Sequence, residues 1–333
     1  MKPLPKKIQS IADLIRRHRS CLLLTHVAPD GDGLGSLLGL ALGLESIGLR
    51  AFPACADPVP AIYRFLPGAD RVSRTIPPQP PMLAISVDAD GLDRLGRLAA
   101  DLERSCAIID IDHHATEKGF GEVRWIEPRA AASGEMVYRL LRAVGIAITA
   151  DIATCLYTAI ITDTGRFCYA NTTPRALRIA ADLVRGGARP AAIYREVYES
   201  KSFSASKLLG LALGRLRQAD DGRVTFSALT QDDFRRAGST PDETEGIVDH
   251  LRAVREARAA ALFVELPDGA IRVSMRSRGA VDVGEVALRF GGGGHVNAAG
   301  CTVPGPMREA QQRLLRALSA AVPIESHVSA QER

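Results

Sequence analysis

No stretch of the chain approaches the length and purity of a membrane-spanning helix, so an integral membrane protein is not expected. The six cysteines, at 21, 55, 106, 155, 168 and 301, include no C-x-x-C pair, and several lie inside apolar runs. They read as buried free thiols of a reducing compartment, which argues against a disulfide framework or a zinc cage. An excess of one charge is also missing. The 42 Lys and Arg against 38 Asp and Glu leave +4, too little for a protein that coats long nucleic acid, though a local basic pocket stays open. The basic start is followed by Ile11-Ala12-Asp13-Leu14-Ile15-Arg16-Arg17, an amphipathic helix without the continuous apolar core of a signal peptide. Internal repeats are absent, and the expected location is the cytoplasm.

What is present suffices for two cores. With 333 residues and 46% apolar content, two domains fit more comfortably than one. Up to about residue 185, short apolar strands at 21–25, 50–54, 83–88, 107–111 and 123–126 alternate with helical segments at 37–47 and 94–103. Three helices follow at 134–144, 152–162 and 174–185, with Asp151 and Thr173 placed to cap the second and third. After Gly186-Gly187, helices at 190–200 and 204–218 lead to a second module. It holds a half-buried strand at 223–230, a hairpin at 260–276 through Pro267-Asp268-Gly269, a short helix at 282–290, a strand at 300–303 and a helix at 307–321. The expected fold class is α/β: an N-terminal doubly wound, mostly parallel sheet domain plus a smaller C-terminal α/β domain with a mixed sheet, joined by a helical linker. The expected domains are 1–190, a linker at 191–219, 220–322, and a polar tail at 323–333.

The chemistry concentrates where strands end. Residues 25–36 read T-H-V-A-P-D-G-D-G-L-G-S, a strand-to-helix turn carrying His26, Asp30 and Asp32. Asp88 closes the strand at 83–88, Asp112-His113-His114 follow that at 107–111, and Asp163 closes an apolar helix. In a parallel sheet the carboxyl ends lie side by side, so His26, Asp30, Asp32, Asp88, His113 and Asp163 converge. Four carboxylates in one cleft repel unless cations intervene. Oxygen and imidazole donors without thiolate suit two divalent ions, Mn²⁺ first, with Mg²⁺ or Co²⁺ as alternatives. Two ions about 3.5–4 Å apart clamp a phosphoryl group and activate water, so the implied reaction is phosphoester hydrolysis. Asp57, Asp90 and Asp110 read as caps or turn residues, and Arg252, Arg255 and Arg258 as a solvated face. The glycines at 31, 33 and 35 miss the G-x-G-x-x-G spacing of a dinucleotide-cofactor site and read as serving a tight turn.

In the second module, the run 291–294 is four glycines followed by His295. Such backbone has no Cβ barrier to close approach, and its N–H groups can face an anion. It is no P-loop, because neither Lys-Ser nor Lys-Thr follows. Arg276 and Arg278 add planar forks for phosphate. Together Arg276, Arg278, Gly293, Gly294 and His295 read as a clamp for the nucleotide end remote from the cut, with the main arginine left open.

These motifs resemble the DHH phosphoesterases. Asp112-His113-His114 is the name-giving triplet, His26-x3-Asp30-x-Asp32 is similar to the first motif, and Asp88 and Asp163 match the second and fourth. Residues 276–279 and 291–300 resemble the DHH-associated domain, so the resemblance spans roughly 8–320. The compact form is similar to the nanoRNase and pAp-phosphatase branch (pAp being 3′-phosphoadenosine 5′-phosphate), which also contains cyclic-di-AMP and linear pApA phosphodiesterases. The resemblance implies that His26, Asp30 and Asp88 hold one metal, and that Asp32, Asp88, His113 and Asp163 hold the other, with Asp88 bridging. It implies that the catalytic His114 contacts the scissile phosphate or donates a proton, and that Asp112 orients a neighbour. The expected substrates are oligoribonucleotides of a few residues, cut to mononucleotides, and pAp, converted to AMP, in a cleft between the domains. Alternatives are a cyclic-di-AMP or pApA phosphodiesterase, a long-strand exonuclease, and a non-catalytic nucleotide-binding regulator. No long duplex and no membrane is expected as a partner, and a homodimer is the family-based expectation.

Overall fold

The computed structural model describes residues 6–77, 83–102, 107–114 and 119–323. Most of the proline-rich loop after Pro77 and nearly all of the polar tail lie outside the described residues. The chain divides into two units, Met1–Ser200 and Lys201–Arg333.

The first unit runs α1 (Lys6–Arg17), β1 (Ser20–Leu24), α2 (Gly31–Glu45), β2 (Arg50–Ala54), β3 (Leu83–Val87), the short α3 (Ala99–Leu102), β4 (Ala107–Asp112), β5 (Val123–Ile126), α4 (Ser133–Ala143), α5 (Ala150–Asp163), α6 (Pro174–Arg185) and α7 (Pro190–Tyr198). Its five strands are all parallel, in the order β2-β1-β3-β4-β5. The central strands β1 and β3 are apolar on both faces because both faces are covered. In β1, Cys21 and Leu23 join the core with Leu40, Leu140 and Leu156, whereas Leu22 and Leu24 turn to Ala84, Leu95 and Leu98 on the other side. The strand order reverses between β1 and β3, and such a switch point opens a crevice at the carboxyl ends of the strands. α1 buries Ile8, Ile11, Ala12 and Ile15, the stripe its spacing predicts. The cap of α5 falls on Thr149, whose side chain accepts from the Ile152 N–H; Asp151 sits inside the first turn instead. Thr173 caps α6 as expected.

The second unit runs α8 (Phe203–Gly214), β6 (Arg217–Ala219), β7 (Val224–Leu229), α9 (Gln231–Ala237), α10 (Ile247–Arg252), β8 (Ala259–Glu265), β9 (Ile271–Ser277), α11 (Val283–Leu288), β10 (Gly293–His295), β11 (Ala298–Val303) and α12 (Met307–Ala321). The six strands order as β10-β11-β9-β8-β7-β6, with only β7 and β8 parallel. β8 shows the period of two directly: Ala259, Ala261 and Phe263 enter the core with Leu314 and Leu318, and Ala260, Leu262 and Val264 enter that with Leu208 and Leu251. The helices expected as a linker divide between the units. Ile193 and Val197 of α7 are buried in the first core, and Leu208 and Ala212 of α8 in a core of the second. The helix expected to reach 218 stops at Gly214, where Arg217–Ala219 pairs with β7 as an edge strand. Among the described residues, no helix is long and apolar enough to cross a membrane.

Candidate metal centre

Every side chain of the candidate centre in the first unit stands at the carboxyl end of a strand or the start or end of a helix. His26 lies just past β1, and Asp30 caps α2, accepting from the Gly33 N–H at 2.9 Å. Asp32 falls in the first turn of α2 and is buried. Asp88 follows β3 with a left-handed backbone, φ 60°, its N–H tied to the Ile111 carbonyl at 3.0 Å. That conformation is costly for a residue with a Cβ, and such strain collects at functional sites. Asp112 ends β4, His113 and His114 follow it, and Asp163 ends α5.

Asp88 is the hub. One carboxylate oxygen lies 3.7 Å from His26 Nε2, and the other lies 3.5 Å from His113 Nε2 and 3.7 Å from His114 Nδ1. On one side, His26 Nε2 also faces Asp30 at 3.5 Å. On the other, His113 Nε2 faces Asp32 at 3.5 Å and Asp163 at 3.7 Å. The ring tautomers are set from behind: His26 Nδ1 bonds the Val27 carbonyl at 2.8 Å, and His113 Nδ1 the Ala130 carbonyl at 3.3 Å. Each Nε2 is then the ring nitrogen that faces the carboxylates, the arrangement that metal-binding histidines adopt. His114 differs. Its Nδ1 meets Asp112 at 2.6 Å, and the same carboxylate takes the His114 and Asp90 N–H groups.

The donor set fits divalent cations. His26, Asp30 and Asp88 bring ligand atoms within 4.8 Å of one another, as do Asp32, His113 and Asp163, and Asp88 with His113 and His114. Burial pushes the Asp163 carboxyl up to about 7, and Asp32 and Asp88 upward too, with mutual repulsion adding to the burial. Burial acts to lower His26, but the carboxylates of Asp30 and Asp88 outweigh it and hold the ring near 9. Positive charge among these groups would oppose every one of these displacements. Asp112 behaves oppositely: burial would raise it, but hydrogen bonds from His114 hold it below the usual range.

The glycines around Asp32 serve a different purpose from the tight turn expected. Gly31, Gly33 and Gly35 are helical, inside α2, and what they supply is space. A Cβ on Gly35 would lie 2.4 Å from the Cys155 carbonyl, one on Gly31 2.5 Å from Thr162, and one on Gly33 2.9 Å from His26 Nε2. α2 can therefore approach α5 closely enough to bring Asp32 and Asp163 into one group.

Sequence reasoning missed the residues that support the centre. Ser133 donates its N–H to Asp32 at 2.6 Å and its hydroxyl to Asp88 at 3.1 Å, and the Gly134 N–H reaches Asp32 at 2.9 Å. Asn171 donates to the Asp163 carboxylate at 3.2 Å. A serine opening a helix is the one signal that marked Ser133, and it is equally the signal of an ordinary cap. Asp57, expected as a cap or turn residue, accepts instead from the distant Ala28 N–H at 2.7 Å.

In the second unit, Arg276 and Arg278 stand at the end of β9 and just beyond. Arg276 is half-buried, 3.6 Å from Asp249, while Arg278 is exposed. The second half of the glycine run is an edge strand: Gly293, Gly294 and His295 form β10 opposite Gly300, Ala299 and Ala298. Gly294, at φ 137°, would place a Cβ 2.5 Å from the Ala298 carbonyl, so close backbone approach requires glycine there. Arg252, expected on a solvated face, is half-buried and bonds the Ser277 carbonyl at 3.3 Å, because the end of β9 offers an acceptor there.

Residues 20–160 match the DHH family N-terminal domain, and 221–322 match the DHHA1 domain. The chain is 35% identical over 94% of its length, and 94% of the relative's, to the bifunctional oligoribonuclease and PAP phosphatase NrnA of Thermus thermophilus. The chain belongs to the DHH family of phosphoesterases. A second relative of this DHH protein, from Bacillus subtilis and bearing the same name, is 30% identical over 88% of this chain and 90% of that one. Among solved structures, an exopolyphosphatase-related protein from Bacteroides fragilis superimposes with a TM-score of 0.89 at 26% identity, covering 95% of this chain and 98% of that one. As a DHH phosphoesterase, the protein is a metal-dependent hydrolase of phosphoester bonds.

Proposed function

We propose that this DHH phosphoesterase cuts oligoribonucleotides of a few residues to mononucleotides and converts pAp to AMP, working with two divalent ions, Mn²⁺ first. The observation that carries this reading is Asp88 standing between two imidazoles, with His26 and Asp30 on one side and Asp32, His113 and Asp163 on the other. We assign His26, Asp30 and Asp88 to one ion and Asp32, Asp88, His113 and Asp163 to its neighbour. When bound, the ions neutralise phosphoryl oxygens and make water a nucleophile near neutral pH. His113 and Asp88 hold their donor atoms still through the Ala130 carbonyl and the Ser133 hydroxyl. In this reading His114, paired with Asp112 and next to Asp88, contacts the scissile phosphate or donates a proton. The substrate classes follow the names of the relatives from Thermus thermophilus and Bacillus subtilis.

Binding of the substrate's far end falls to the second unit, through Arg278, Arg276, Gly293, Gly294 and His295. Arg278 is the main contact in this reading, because it is exposed while Arg276 is already engaged by Asp249. A cytoplasmic site of action agrees with the buried free thiols of Cys21, Cys55, Cys155 and Cys301. The decisive experiment ranks kcat/KM with Mn²⁺ for pAp, pApA, RNAs from 2 to about 20 residues, and cyclic di-AMP. Dimers to tetramers and pAp are expected to lead. A profile flat with length would favour the long-strand exonuclease, and cyclic di-AMP in first place the cyclic-dinucleotide phosphodiesterase. Tight binding without any turnover would leave only a nucleotide-binding regulator.

A further inference from the structure

The segment that leads from β5 into the first turn of α4, residues 127–134, carries no assigned ligand itself yet contacts several of them. Its Ala130 carbonyl accepts from His113, Ser133 and Gly134 hold both oxygens of Asp32, and the Ser133 hydroxyl holds Asp88. Its Ala131 carbonyl accepts from Asn171 at 3.0 Å, and the same amide bonds Asp163. The Glu127 N–H is tied to the Asp112 carbonyl at 2.9 Å. One short arch thus reaches four of the six assigned ligands, three directly and Asp163 through Asn171.

The arch is braced from outside. Glu127 accepts from Arg139 at 2.8 Å and from the Trp125 indole at 3.2 Å, and pairs with Arg175 at 2.9 Å. Arg175 reaches on to Glu135 at 2.5 Å and to the Arg129 carbonyl at 3.3 Å. Glu135 is fully buried, and its other oxygen takes the Ala131 N–H at 3.2 Å. A buried carboxylate has to be paired, and here the pairing joins the first turn of α6 to the first turn of α4. None of Glu127, Glu135, Arg139 and Arg175 belongs to the assigned ligand set.

We propose that this arch is the frame that sets metal affinity. Ser133 is the positioning residue that couples Asp32 to Asp88, and the Arg175–Glu135 pair keeps the arch in register. The proposal rests on the two-ion reading above. Its chemistry is that of outer partners of metal ligands, whose loss costs about 10–100-fold in affinity or activity. Ser133→Ala removes one hydroxyl and leaves both N–H bonds to Asp32. Arg175→Met keeps the aliphatic stem and removes the charge.

The test is direct Mn²⁺ titration of the metal-free full-length protein by calorimetry, with no substrate present. Ser133→Ala and Arg175→Met should weaken Mn²⁺ binding by about tenfold or more. In turnover of pAp, their kcat should recover when Mn²⁺ is raised, with KM for pAp within twofold of the parent. Arg175→Lys, which restores charge without the fork, should recover only part of the affinity. Parent-like Mn²⁺ affinity in both variants overturns the proposal, and if their melting temperatures fall at the same time, the frame serves the fold alone. Should the parent itself fail to bind Mn²⁺, the two-ion reading falls and takes the frame with it.

Discussion

The assigned sites of the two units present charge in opposite ways. In the first, Asp32, Asp88, Asp112 and Glu135 are buried, and each is held by named donors or cations. In the second, the arginines and glycines assigned to substrate lie at the end and edge of a sheet, and Arg278 is open to solvent. Buried carboxylates are unfavourable until something positive arrives, which suits a site built to capture cations. Exposed arginine forks cost little in the absence of ligand and suit a surface that takes up and releases a nucleotide. The comparison separates chemistry from recognition, and substitutions should respect that separation.

The largest effect should come from Asp88→Ala. Removing the group that faces both imidazoles is expected to cost several kcal/mol of transition-state stabilisation, or about three decades of kcat at 1.4 kcal/mol per decade. Single-turnover hydrolysis of pAp in saturating Mn²⁺ measures it, and turnover within tenfold of the parent would remove Asp88 from the bridging role.

Next is Arg278→Ala, which should raise KM for dinucleotides about tenfold or more, the loss of one charged hydrogen-bonding group. The kcat for an activated model diester should stay within twofold. Equal losses on both substrates would place Arg278 in the chemistry and erase the contrast between units.

Third, Mn²⁺ affinity should depend steeply on pH. Burial holds the folded-state pKa of Asp163 near 7, above its unfolded value. The folded metal-free protein therefore keeps a proton that the unfolded chain has released, and its stability falls as pH rises from about 4 through 7. Mn²⁺ must displace such protons, so affinity should rise with pH by up to about tenfold per unit for each proton released, most steeply below pH 7. The rise in melting temperature on adding Mn²⁺ should be greater at pH 8 than at pH 5.5. A rise independent of pH would mean these carboxylates are already ionised without metal.

The smallest effect compares glycines. Gly35→Ala drives a Cβ to 2.4 Å from the Cys155 carbonyl and should destabilise by about 1–3 kcal/mol, whereas Gly293→Ala meets nothing within 4 Å and should change stability by less than about 0.5 kcal/mol. Chemical denaturation of the two variants decides whether the glycines of α2 are needed for space.

Much of this was legible in the chain. The apolar runs of β1, β3 and β4 placed His26, Asp88 and the Asp112-His113-His114 triplet at strand ends, and parallel pairing then put those ends together. The amphipathic stripe of α1 and the hairpin of β8 and β9 were equally readable from period. Less visible was the second half of the glycine run as an edge strand, because glycines carry no alternation to read and only the register with β11 reveals the pairing. The cap of α5 moved to Thr149 because Thr149 and Asp151, two residues apart, both suit a helix start.

The sequence by itself determined the kinds of donor and the strand and helix ends on which they sit, since both follow from residue type and local periodicity. Only the tertiary structure decided which oxygen of Asp88 faces His26 and which faces His113. Only it showed that Ser133, 101 residues from Asp32 and 45 from Asp88, holds them both. Those contacts are set by how closely α2, α4 and α5 approach, and that distance depends on side chains that meet across the fold and share no local pattern.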